Sequence, residues 1–207
     1  TKDEVMRILT PNGVAYLKKN NKWTKTVKPR PEEIDEWTHF LYDASNNAVS
    51  TDTAVDMPNH IQWICEPKSA RSHDHLASMS VAVSANGRLF YIADEGPLEA
   101  LTFPSKWFLH ARDAFNGVLL WKKPIGPWEG HLRGFRTGPP EIHRRLIAVK
   151  DRIYVTLGYG EPVSVLDGAT GKLIKTLTGQ HSIDYFIHSA GSGLFGSIEQ
   201  FSVAQID

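Results

Sequence analysis

Cysteine is almost absent. Cys65 is the single one among 207 residues, so an internal disulfide framework, a CxxC redox pair and every multi-cysteine zinc site are excluded. Charge of one sign is also missing. Lys+Arg number 23 and Asp+Glu 23, which leaves no surplus to release counterions from a nucleic-acid backbone. That balance argues against a protein whose chief business is DNA or RNA. No apolar run approaches the ~18 residues that a spanning helix needs. Glycine and proline, 16 and 12, are enough for many turns but not for low complexity. A hydrophobic share of 41% is ordinary globular usage and excludes a disordered tail as the main content. The first residues, Thr1-Lys2-Asp3-Glu4-Val5, look like neither a start nor a signal peptide, so the chain is expected to be part of something longer.

What is present divides at about residue 30. Residues 3–9 carry Val5, Met6, Ile8 and Leu9 and read as the last turns of a helix, broken by Pro11-Asn12-Gly13. Short strands at 14–17 and 23–27 flank a polar lysine-rich turn, so the basic Lys18–Lys28 stretch is an exposed hairpin. A linker follows at 28–31. Residues 31–42 predict a short helix, with Pro31 at its first position, Glu32 and Glu33 at its positive end, and Ile34, Trp37 and Leu41 on one face. From about 43 the pattern is all-β, with strands at 61–64, 78–84 and 88–93. Asn86-Gly87 supplies the turn between the last two.

An internal repeat organises the β region. Gly87–Ile92 followed by Leu109–Trp121 has the same plan as Asp151–Thr156 followed by Val163–Ile174. Each copy is a strand, a loop, a strand ending in Asp, a turn closed by Asn116-Gly117 or Thr170-Gly171, and another strand. Asp can accept backbone N–H bonds across such a turn, and Gly supplies its left-handed residue. Trp121 stands where a side chain packs between units; the second copy has Thr176 or Leu177 near that place and no tryptophan. Asp113 and Asp167 lie 54 residues apart, and a third copy runs from Gly193 to Asp207. Repeats of roughly 40–50 residues with about four strands each are the signature of propeller blades.

Ala111-Arg112-Asp113-Ala114-Phe115-Asn116-Gly117-Val118-Leu119-Leu120-Trp121 resembles the A-x-D-x-x-T-G-x-x-x-W motif of pyrroloquinoline-quinone-like β-propeller repeats. Asn116 replaces the Thr, and Val165–Gly171 matches more loosely. Trp37-Thr38-His39-Phe40, Asp43–Ser50 and Gln62-Trp63 are similar to the lead-in of propellers in large multidomain proteins of planctomycete-type bacteria, and His73-Asp74-His75, Asp94-Glu95-Gly96-Pro97 and Ala111–Gly117 resemble the same group. In those proteins the propeller often follows a methyltransferase-like domain. Arg7–Ala15 looks like the late helix-turn-strand of such a domain, with Asn12 for a usual Gly. The resemblance implies a mainly β chain. It would be an incomplete propeller of about three to four four-stranded blades over 31–207, behind a small α/β remnant at 1–30 and a short helix. It also implies an exported, periplasmic or extracytoplasmic setting.

Several residues are candidates for chemistry. If extended, His73 and His75 project from one face, as metal ligands or as ligand-binding groups; Arg71 precedes them, and His39 could join them. The plainer alternative is a hydrogen-bonded loop cluster. Asp94 and Glu95 end a strand where a loop emerges and could bind Ca²⁺ or a sugar hydroxyl, or form a solvated turn. Gly191-x-Gly193-x-x-Gly196 spells a dinucleotide fingerprint but is followed by strand-like sequence and reads as a hairpin turn. Trp107, Trp121, Trp128, Phe103 and Phe108 could stack sugars, though aromatics in propellers serve more often as core. His110, His131, His143, His181 and His188 are scattered. Asp113, Asn116, Gly117, Trp121, Asp167, Thr170 and Gly171 are the structural repeat motif.

The expected function is a non-catalytic propeller segment, a ligand-binding or protein-interaction scaffold in a larger protein. Its partners would be further blades, an upstream domain, and a carbohydrate or protein ligand, with no nucleic acid and no membrane span. One alternative is part of a quinoprotein oxidoreductase holding pyrroloquinoline quinone and calcium. That class uses an adjacent cysteine pair under the cofactor, and Cys65 is alone here. A second alternative is the partner domain of an S-adenosylmethionine-dependent methyltransferase. The nucleotide-binding glycine loop of such an enzyme is not in this chain.

Overall fold

Short segments of alternating apolar and β-branched residues, separated by Gly, Asn and Asp, cannot make long helices but pair readily as pleated strands. The computed structural model describes residues 1–54, 57–66, 68–69, 79–98, 103–126, 128, 140–158 and 160–177. The chain is mainly β with antiparallel sheets. One helix, α1 (Lys2–Ile8), precedes a hairpin of β1 (Val14–Lys19) and β2 (Lys22–Val27). The first large sheet comprises β3 (Met79–Ala85), β4 (Arg88–Asp94), β5 (Trp107–Asp113) and β6 (Leu119–Pro124), in that spatial order. A 3₁₀ turn at Pro140–Arg145 leads into the second sheet. That sheet is β7 (Leu146–Val149), β8 (Arg152–Thr156), β9 (Val163–Asp167) and β10 (Leu173–Thr176), again in sequential order. The third repeat copy, at 193–207, and the glycine run at 191–196 lie outside the described residues. Among the described residues no helix is long and apolar enough to cross a membrane.

The two sheets share one register. Arg88 pairs with Asp113 in the first and Arg152 with Asp167 in the second. Phe90 and Ala111 therefore correspond to Tyr154 and Val165, while Leu89 and Arg112 correspond to Ile153 and Leu166. The shared core joins Phe90, Ile92, Leu109 and Ala111 of the first sheet to Leu146, Ala148, Ile153, Val155 and Leu166 of the second. Non-equivalent faces thus meet, and the packing runs head to tail rather than about a two-fold axis. Asp151, in the β7–β8 turn, links the two sheets by accepting from Asn86 Nδ2 at 2.7 Å and Arg88 Nη1 at 2.8 Å. Those donors hold its carboxyl below the usual range.

Two expected elements are not formed. Residues 31–42 contain turns and an isolated His39–Tyr42 bridge instead of the short helix. The backbone groups a helix would use internally are taken by the sheets. Trp37 O accepts from Ser84 N at 2.6 Å and Thr38 O from Ala148 N at 3.0 Å, so this segment bridges β3 and β7. Tertiary pairing outweighs a helix preference worth only tenths of a kcal/mol per residue. Residues 61–64 are likewise not a strand. They form part of a strap with no backbone ladder to either sheet among the described residues.

Candidate functional site

The repeated turns show how the sequence builds local structure. Asp113 Oδ1 accepts from Phe115 N at 2.9 Å and Asn116 N at 3.1 Å. Asp167 Oδ1 accepts from Ala169 N at 3.1 Å, Thr170 N at 2.9 Å and Thr170 Oγ1 at 2.8 Å. Each turn closes on a glycine at positive φ, 74° at Gly117 and 68° at Gly171. A tryptophan from an earlier part of the chain lies against each glycine. A Cβ on Gly171 would come within 2.8 Å of Trp121, and one on Gly117 within 2.6 Å of Trp63. Trp121 Nε1 donates to Gly168 O at 3.0 Å, and Trp63 Nε1 donates to Ala114 O at 3.2 Å. Gly168 and Ala114 each follow the turn Asp, so the two docks are the same contact. Trp63 is the partner that the sequence pattern did not single out.

Trp63 brings the strap across the face of the first sheet that points away from the shared core. Gln62 Nε2 also donates to Phe115 O at 2.9 Å. Beneath the strap lies a groove of about 450 Å³ lined by Ile64, Cys65, Glu66, Glu95, His110 and Arg112, with Lys68, Leu119 and Lys122 at its margin. Tyr91, His110 and Lys122 are directly opposite one another on β4, β5 and β6. Tyr91 stacks on the His110 ring at 4.5 Å with 2° between planes. Glu95 Oε1 meets His110 Nε2 at 2.8 Å, and Glu95 Oε2 accepts from Lys122 Nζ at 2.6 Å. Lys122 also lies 4.3 Å from the Phe108 ring centre.

Burial and charge shape the groove. His110 is 1% exposed, and among the described residues its buried Nδ1 has no hydrogen-bond partner. Burial pushes its pKa down, with Glu95 opposing. Burial raises the Glu95 carboxyl, but the hydrogen bonds from Lys122 and His110 outweigh it and the net shift is downward. Burial also raises the Tyr91 phenol, against Arg112. Arg112 donates from Nε to Tyr91 Oη at 2.8 Å, from Nη1 to Gly117 O at 2.8 Å and from Nη2 to Glu66 O at 3.3 Å. Tyr91 Oη also donates to Glu66 O, at 3.4 Å, and Cys65 Sγ is 3.9 Å from the same hydroxyl.

Of the residues singled out from sequence, Glu95 enters this groove. Asp94 does not; its Oδ1 accepts from Gly96 N at 2.8 Å and Lys106 N at 2.7 Å, fixing the loop after β4. Arg71, His73 and His75 lie outside the described residues. His39 Nδ1 contacts Thr38 Oγ1 at 2.8 Å. Among the described residues no three side chains of His, Cys, Asp or Glu gather to hold a metal. Trp107 and Trp128 are buried in the shared core. Sequence reasoning did not place His110, Arg112, Tyr91, Lys122 or Cys65 in a site. Arg112 carried a signal, because it fills the variable position of the Ala-x-Asp motif where the second copy has Leu166.

The chain matches no family model and no curated protein sequence.

Proposed function

We propose that this chain is part of a β-propeller that acts as a non-catalytic ligand-binding scaffold in a larger protein. One observation carries this reading: two sequential four-stranded sheets pack head to tail, and a tryptophan from the preceding segment docks on the same Asp–Gly turn of each. A packing in which unlike faces meet can be repeated by adding sheets around an axis, as blades are. The bridging of β3 and β7 by Trp37 and Thr38 suits a lead-in segment lying along the inner edges of neighbouring blades. The groove under the strap is the ligand site of this reading, since concave sites with a few convergent polar groups are the usual places for ligands.

Residues 1–30 fit an upstream α/β domain. The helix and hairpin join neither sheet, and Ile8, Tyr16 and Trp23 are exposed. The deciding experiment is an experimentally determined structure of the full-length polypeptide. Further four-stranded sheets stacked on the exposed face of β7–β10 around an axis are the expected result. A two-sheet sandwich standing alone would overturn the proposal.

A further inference from the structure

We propose that the groove under the strap is a binding site for a small organic carboxylate, and that the ligand's carboxylate replaces the Glu66 carbonyl on Arg112 and Tyr91. This rests on the groove being the ligand site of the scaffold.

Arg112 is 9% exposed, yet among the described residues it makes no ion pair. Its three hydrogen bonds go to neutral oxygens: a phenol and two carbonyls. Burying a guanidinium without a counter-charge is costly, and the fold does not ask for it. The equivalent residue of the second sheet is Leu166, which is fully buried in the apolar core. The other cations of the groove are engaged. Lys122 is bonded to Glu95, and Lys68 lies 3.8 Å from Glu66. Among the described residues Arg112 is therefore the charge left without an anion, and His110 beside it keeps a buried Nδ1 with no partner there.

The ligand's chemistry follows from the lining. One uncompensated cation suits a monoanion, while Glu95 and Glu66 would repel a dianion. Ile64, Cys65 and Leu119 offer an apolar wall for the body of an organic acid. Glu66 O now holds the position, with two long contacts of 3.3 and 3.4 Å. A carboxylate oxygen makes shorter, charge-assisted bonds to arginine, about twice as strong as neutral ones. The strap can yield because side chains rather than a backbone ladder hold it. Cys65, the only thiol, reports that movement.

The test uses benzoate and neutral benzamide on the whole chain, with calorimetry for binding and iodoacetamide alkylation of Cys65 for strap release. Benzoate should bind saturably and raise the alkylation rate, while benzamide should do neither. Arg112→Gln should weaken benzoate at least roughly tenfold, and so should Ile64→Asp, which places a like charge on an exposed groove residue and spares the fold if the arginine variant does not fold. Absence of benzoate binding, equal binding of benzamide, unchanged affinity in Ile64→Asp, or binding without faster alkylation would each overturn the proposal. None of these results bears on whether further sheets stack around an axis, so this site and the propeller reading fail separately.

Discussion

The first and second sheets solve the same packing problem with different chemistry. On the second sheet, Leu166, Val155 and Ser164 face the neighbouring sheet and are buried. The equivalent positions of the first sheet hold Arg112, Tyr91 and His110, also buried, but beneath the strap rather than beneath another sheet. The fold itself accepts leucine, valine and serine at these places. The arginine, tyrosine and histidine are therefore not required by the ladder, and their cost points to a role beyond packing. The opposite faces differ as well. Phe90 and Trp121 of the first sheet are covered by the second sheet. On the second sheet's equivalent face Tyr154 is 36% exposed, and neighbouring Val149 and Val163 are exposed too.

The sharpest way to break the comparison is to exchange the residues. Leu166→Arg would bury an unpaired charge in the apolar core shared by the two sheets and should cost more than about 4 kcal/mol or abolish folding. Arg112→Leu should leave stability within about 1.5 kcal/mol of the wild type or raise it, as read by urea unfolding. A large loss in Arg112→Leu would mean that the arginine is structural after all. The two docks come next. Trp121→Ala should cost about 3 kcal/mol, because it opens the contact between sheets. Trp63→Ala should cost about 1 kcal/mol, because it frees only a strap. Equal losses would show that strap and sheet are one cooperative unit.

Smaller effects refine the picture. Gly171→Ala combines positive φ with a Cβ 2.8 Å from Trp121 and should cost about 1–2 kcal/mol. Gly117→Ala should cost less, since the strap can shift. His110 is held neutral by burial, with Glu95, Lys122, Arg112 and Tyr91 around it. Its folded pKa lies below an unfolded value of about 6.5, so the unfolded chain takes up the proton first. Stability should be full above about pH 6.5 and fall as the pH drops through that value. The slope should flatten in His110→Gln, as thermal melts across pH will show. Asp151→Asn removes a partly exposed ion pair with Arg88 and should cost about 1 kcal/mol or less.

Much of the strand pattern was legible from the chain. Asn86-Gly87 marks the β3–β4 hairpin and the Asp–Gly turns end β5 and β9, because these depend on local backbone preferences. The helix expected at 31–42 failed for the opposite reason: Ser84 and Ala148, remote in sequence, capture the carbonyls of Trp37 and Thr38. Glu95 was visible as an acid after a strand. Its partners His110 and Lys122 were not, since cross-strand neighbours follow only from register.

By itself the sequence determined turns, strand lengths and the equivalence of two β units, because glycine, asparagine and aspartate act on the backbone within a few residues. Only the tertiary structure decided which face of each sheet is covered and by what. Coverage depends on contacts between segments dozens of residues apart, such as Trp63 over Gly117 and Trp121 over Gly171, and on where a buried charge like that of Arg112 finds its oxygens.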